Sequence, residues 1–213
     1  MHNFQKKICI VGAGGFGKET LCCLIDAKES GGNKIEDSAC FMVDDLYYKE
    51  PEILGFKVIR RSDFDPLLYD VVVAIGDPNS RRKVVESLPI ETTYTTIIHP
   101  SVIMSKWVEI GSGSIICAGT ILTCDIKVGK HAHLNLNTTI GHDSKIGDFF
   151  TTAPGANISG HCVVGDNVYF GSNSSIKEKI NVCSNVTVGM GAVVVKNITE
   201  AGVYIGNSLK KLD

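Results

Sequence analysis

Residues 134–170 read LNLNTTIGHDSKIGDFFTTAPGANISGHCVVGDNVYF, with Leu134, Ile140, Ile146, Ile158, Val164 and Phe170 on one six-residue register. The column extends backward through Val128, Leu122, Ile116, Ile110, Met104 and Ile98, and forward through Ile176, Val182, Val188 and Val194. Counting Thr152, sixteen of its seventeen members are apolar in a chain that is 44% apolar. Chance would give such a column on the order of once in ten thousand, so the period is structural. No residue is inserted or lost between positions 98 and 199.

The neighbouring columns sharpen the reading. Glycine often follows the aliphatic (Gly111, Gly129, Gly141, Gly147, Gly165, Gly171, Gly189), which suggests sharp corners with positive φ. Four places after the aliphatic the residue is small or apolar, as at Ser114, Thr120, Ala132, Thr138, Ala156, Cys162, Ser174 and Ala192. Each hexad can therefore make one short strand and one turn, with the aliphatic inward and the small residue beside it. Stacking buries a continuous core that no single repeat could build. The expectation over 97–213 is a β-solenoid.

Residues 1–96 follow a different grammar. KICIV (7–11), CFMVDD (40–45), KVI (57–59) and DVVVAIG (70–76) read as strands, and ETLCCLIDA (19–27) as a helix. In DPNSRRKVVESL (77–88), Asp77 or Asn79 caps a second helix near Pro78. The result is a small α/β unit with a mostly parallel sheet.

Composition narrows the function classes. A formal charge of −2, with no dense basic run in either half, argues against a nucleic-acid or membrane-surface footprint. No stretch reads as a signal peptide or a membrane span. The eight cysteines show no C-x-x-C pair and no secreted framework, so they read as reduced apolar fillers of a cytoplasmic protein. Small-molecule and protein partners remain.

Gly12, Gly14 and Gly17 form a G-x-G-x-x-G that follows a strand and opens a helix, the context of a phosphate cradle. Read alone it suggests a dinucleotide, with Asp44 or Asp45 on a ribose. The plain alternative is that the glycines only let helix and strand pack closely.

IVGAGGFGKE at the start, VDD near residue 44, IHPSVIMSKWVEIGSGSII at the junction and NTTIGHDSKIGDF in the solenoid together resemble one group of proteins. These are the hexapeptide-repeat acyltransferases, in the branch that acetylates amino groups of nucleotide-linked amino sugars, with sialic-acid O-acetyltransferases as relatives. The resemblance covers almost the whole chain and implies a left-handed parallel β-helix. It further implies that 1–96 is a Rossmann-like nucleotide-sugar-binding domain and 97–213 the acyltransferase domain of a homotrimer.

The same resemblance assigns roles. His142 of the GHD triplet is the general base, and Asp143 beside it could orient or charge-pair the ring. Asn135 matches a polar position near the thioester, with a ladder asparagine as the plain alternative. The nucleotide falls to Gly12, Gly14, Gly15, Phe16, Gly17, Asp44, Asp45, Gly76 and Asp77, where Phe16 either stacks or simply packs. Acetyl-CoA falls to Ser172, Gly189, Met190 and Gly191, with Thr151 at the place where close relatives carry a second histidine. The family's closing G-x-P-A-K appears as Gly206 to Lys210 without its proline. The implied reaction is direct acetyl transfer to the 4-amino group of a dTDP-, UDP- or GDP-linked 4-amino-4,6-dideoxyhexose, for a bacterial surface glycan such as O-antigen. The alternative acceptor is a hydroxyl of sialic acid or a related sugar.

Two rival functions bear on the same residues. Some left-handed β-helix trimers resemble carbonic anhydrases with three histidines per zinc, and His142 and His161 lie nineteen residues apart, with His131 and His133 at hand. That reading has no place for the G-x-G-x-x-G unit, so no metal is expected. A nucleotide-binding scaffold without catalysis is the second, and failure to bind acetyl-CoA would favour it.

Overall fold

The computed structural model describes residues 6–32, 35 and 38–206. The α/β unit runs β1 (Lys7–Val11), α1 (Gly15–Glu29), β2 (Ala39–Val43), β3 (Glu52–Ile53), β4 (Phe56–Arg60), β5 (Tyr69–Val73), α2 (Pro78–Ser87) and β6 (Thr93–Tyr94). The sheet order is β3-β4-β2-β1-β5-β6. All its pairings are parallel except that of β3 with β4. The central strands are buried on both faces, which explains their unbroken apolar runs. Ile8, Ile10, Phe41 and Val72 meet Leu21 and Leu24 of α1, and this core continues onto Ile97 and Ile115 of the solenoid. Cys9, Val11, Met42 and Val73 face the other way, toward Val84 and Val85 of α2.

From residue 97 the chain is a left-handed parallel β-helix with three faces. The first face holds strands such as Ile115–Ile116, His133–Leu134 and Thr151–Thr152, the second Ile121–Leu122, Thr139–Ile140 and Asn157–Ile158, and the third Ile126–Val128 and Lys145–Ile146. Register is eighteen residues per coil, as Ile116 pairs with Leu134 and Leu122 with Ile140. The aliphatic column forms one core from Ile116 to Val194, and the small-residue column fills beside it.

Three departures from the sequence reading have physical causes. The glycines after the aliphatics are not the left-handed residues. Positive φ falls two positions later, at Gly113, Gly119, Gly155 and Gly191, and at Asp125, His131, Asn137, Asp143, Phe149 and His161 among others. Gly111, Gly141 and Gly171 are required because a Cβ there would come within 2.5 to 2.6 Å of backbone on the next coil. Met104, at the open start of the second face, remains 44% exposed, because no earlier coil covers it. Thr152 is tolerated in the apolar column because its hydroxyl is satisfied, sharing a 2.7 Å hydrogen bond with Thr138 Oγ1 and accepting from the Asn135 amide at 3.0 Å. No helix among the described residues is long and apolar enough to cross a membrane.

Candidate functional site

The edge between the second and third faces collects the titratable cluster. After Thr139–Ile140 the chain turns through Gly141, His142 and Asp143, and Asp143 takes the left-handed corner (φ 60). That backbone state suits aspartate better than most side chains. It sets the Asp143 carboxylate against its own neighbour, and His142 Nδ1 lies 2.6 Å from Asp143 Oδ2. The hydrogen bond from His142, helped by the nearby His161, holds the Asp143 carboxyl below the usual range. In the neutral ring, an Nδ1–H given to the carboxylate leaves Nε2 as the acceptor, and the ring is half exposed. The next coil supplies a floor and a wall. A Cβ on Gly160 would sit 2.9 Å from His142 Nε2, so only glycine lets the ring rest there. The His161 ring stands nearly perpendicular at 5.0 Å, with Nε2 3.6 Å from Asp143 Oδ2.

The remaining solenoid residues expected at the site lie elsewhere. Asn135 follows His133–Leu134, and Ser172 and Gly189 to Gly191 follow Tyr169–Phe170 and Val186–Val188. All belong to the edge between the first and second faces, one strand away from His142 around the coil. Asn135 Oδ1 accepts from the Leu136 amide at 2.7 Å, Gly191 N–H donates to Ser172 O at 2.8 Å, and Met190 projects into solvent. Within one chain, these residues and His142 face different directions.

Thr151 is buried on the first face, under the α/β unit, where its hydroxyl accepts from Arg81 Nη2 at 2.7 Å. The organiser is Arg81 of α2, which sequence reasoning did not single out. Its Nε donates to His131 O (2.9 Å), Nη1 to Ile75 O (2.6 Å) and to His133 Nδ1 (3.0 Å), and Nη2 to Phe149 O (2.8 Å). Burial pushes the guanidinium down to about 9, still charged at neutral pH. Burial first, and then the Arg81 charge, lower His131 to about 4 and His133 well below the ordinary range, so both rings are neutral. No local signal marks Arg81, because its solenoid partners lie 50 to 70 residues away.

In the α/β unit, Gly12 (φ 103) and Gly14 line a cleft of about 510 Å³ with Asp44, Tyr47, Lys49 and Glu50. Gly14 precedes α1, whose first turn carries no acidic residue. Gly17 serves packing, since a Cβ there would meet Gly12 O at 2.1 Å. Gly15 opens α1. Asp44 lines the cleft and pairs with Arg61 at 3.3 Å, whereas Asp45 is turned to Ser62. Asp77 caps α2 by accepting from the Ser80 amide at 2.8 Å, and Gly76 O accepts from Arg81. Phe16 packs on His133, ring centroids 4.8 Å apart. Of the closing segment only Gly206 lies among the described residues; Asn207 to Lys210 lie outside them.

Comparison with known proteins adds an independent line. The PglD N-terminal domain family matches residues 7–88. GDP-perosamine N-acetyltransferase of Escherichia coli O157:H7 is 34% identical over 176 residues, 80% of this chain and 78% of that protein. WeeI from Acinetobacter baumannii AYE superposes with a TM-score of 0.86 at 29% identity, over 98% of this chain and 100% of that one. The acetyltransferase domain of PglB from Neisseria gonorrhoeae FA1090, in complex with acetyl coenzyme A, gives 0.84 at 28% identity, over 97% and 99%.

Proposed function

The chain belongs to the hexapeptide-repeat acyltransferases, among the nucleotide-amino-sugar N-acetyltransferases, and from that premise we propose that it moves the acetyl group of acetyl-CoA to the 4-amino group of a nucleotide-linked 4-amino-4,6-dideoxyhexose with His142 as base. The nucleotide is GDP in the first instance, since the 34% identical relative is a GDP-perosamine N-acetyltransferase. The observation that carries the base assignment is the 2.6 Å contact of His142 Nδ1 with Asp143 Oδ2 on an exposed edge.

In this reading the α/β unit, 1–96, holds the nucleotide. Its phosphates sit against Gly12 and Gly14 at the start of α1, with Asp44 across the cleft. The solenoid, 97–213, holds acetyl-CoA and the chemistry. The amine attacks the thioester carbonyl as Nε2 of His142 takes its proton, and Asp143 stabilises the imidazolium. Corner amides supply donors to the oxyanion. When the tetrahedral intermediate collapses, the C–S bond breaks and the imidazolium returns the proton to the CoA sulfur. Because Asn135, Ser172 and Gly189 to Gly191 lie on a different edge from His142, the site closes only when one subunit's edge faces that of the next. A homotrimer of prisms gives three such grooves. The enzyme would act in the cytoplasm, in synthesis of a bacterial surface glycan.

The test is CoA-thiol release from acetyl-CoA with GDP-, UDP- and dTDP-linked 4-amino sugars and with sialic acid. Release with a nucleotide amino sugar should fall by about 10²- to 10⁴-fold in His142→Asn. Release with sialic acid alone, or full activity in the variant, would overturn the reading.

A further inference from the structure

The His142 edge is a ladder of metal-ligand side chains as well as a candidate base site. One coil is eighteen residues, so Cys124 and His142 share a column, and Asp125, Asp143 and His161 share the next. Asp143 N–H donates to Cys124 O at 3.1 Å and His161 N–H to His142 O at 2.8 Å, which fixes the coils in register. His142, Asp143 and His161 each offer one ligand atom, and these atoms lie within 4.8 Å of one another. All three residues are exposed.

We propose that His142, Asp143 and His161 form a binding site for a divalent transition-metal cation of the zinc class, and that its occupancy switches the base off. The donor set suits such an ion: two imidazoles and one carboxylate carry a single negative charge and leave a fourth position for water. Hard cations such as Mg²⁺ prefer all-oxygen shells and are disfavoured here. The geometry needs only small adjustment. Ligands of tetrahedral zinc lie about 3.3 Å apart, whereas Asp143 Oδ2 is 2.6 Å from His142 Nδ1 and 3.6 Å from His161 Nε2. The first contact must open by about 0.7 Å and the second close by about 0.3 Å, and the two imidazole ligand atoms must come from within 4.8 Å to a similar separation, which rotation of exposed side chains supplies.

The chemical consequence follows from the tautomer. As base, His142 keeps its proton on Nδ1 and its lone pair on Nε2. A cation bound at Nδ1 takes that position, and the proton of the neutral ring moves to Nε2. The atom that would accept the amine's proton then carries one already, so metal occupancy and base catalysis exclude each other. This inhibitory half rests on the function proposed above; the binding half does not.

Calorimetric titration of the full chain with Zn²⁺ tests it, in a Cys22→Ser/Cys124→Ser background because those two thiols are exposed. One Zn²⁺ per chain should bind, and His161→Asn should weaken it at least about ten-fold. Zn²⁺ should inhibit thiol release reversibly, chelator restoring it, and the half-inhibiting concentration should rise by the same factor in His161→Asn. Unchanged affinity in His161→Asn, no binding once the thiols are replaced, or equal binding of Mg²⁺ would overturn the site. Bound Zn²⁺ without inhibition would overturn the switch. Calorimetry needs no turnover, so absence of activity with every sugar would sink the proposed function and leave the metal site to its own result.

Discussion

Acidification to pH 5.5 should loosen the junction between the α/β unit and the solenoid, because the fold holds two imidazoles neutral around a buried cation. His131 is buried between Phe149, stacked at 5.1 Å, and Tyr94, edge-on at 4.6 Å, with a pKa near 4; His133 is buried against Arg81 Nη1, and burial and the Arg81 charge hold it well below the ordinary range. In the unfolded chain both return to about 6.5. As pH falls through that value the unfolded state binds protons that the folded state refuses, so stability present above 6.5 is lost below it. At pH 5.5 each histidine contributes about 1.4 kcal/mol of this loss, together about 3 kcal/mol relative to pH 7.5. For a chain of this size that is a fall in Tm of about 6–12 °C. Thermal unfolding followed by circular dichroism at the two pH values measures it. His131→Phe keeps an aromatic ring between Phe149 and Tyr94 without the titration, and should remove about half of the pH dependence. A Tm indifferent to pH across this window, or an unaltered slope in His131→Phe, would refute the reasoning.

Two substitutions probe the junction and the site separately. Arg81→Met leaves the carbonyls of Ile75, His131 and Phe149 buried without their donor. At about 1–3 kcal/mol for each unsatisfied buried group it should cost about 3 kcal/mol or more, and a Tm within 2 °C of the parent, about 0.5–1 kcal/mol by size scaling, would contradict the clasp. Gly160→Ala places a Cβ 2.9 to 3.2 Å from three atoms of the His142 ring and pushes the ring off its floor. We expect kcat to fall by roughly ten- to a hundred-fold with little change in Tm, and unchanged kcat would mean that the ring's position over Gly160 is unimportant.

The solenoid was legible because its core repeats in the sequence. An eighteen-residue coil turns spacing into position, so the inward column and the small-residue column could be read from residue types alone. The same periodicity misled about glycine. Where glycine follows the aliphatic, as at Gly111, Gly141 and Gly171, backbone of the next coil lies against it, while the left-handed corner two places on is filled by asparagine, aspartate, histidine and even phenylalanine. Spacing shows where a constraint recurs and not whether it is torsional or steric. Asp143 was legible as a neighbour of His142, since adjacent residues at a corner are bound to meet.

What stayed hidden is whatever depends on two grammars meeting. Thr151 and Arg81 stand seventy residues apart with no pattern in common, yet they meet at 2.7 Å because α2 lies over the first face. The histidines divide on the same ground. His131 and His133 lie where the α/β unit covers the solenoid, and burial beside Arg81 makes them neutral structural groups. His142 and His161 lie on an edge that unit leaves open, and both rings are exposed there. All four belong to the solenoid, so neither residue type nor repeat position separates them. The side of the prism that α2 covers does, and that side is fixed by Ile97 and Ile115 continuing the apolar surface under α1.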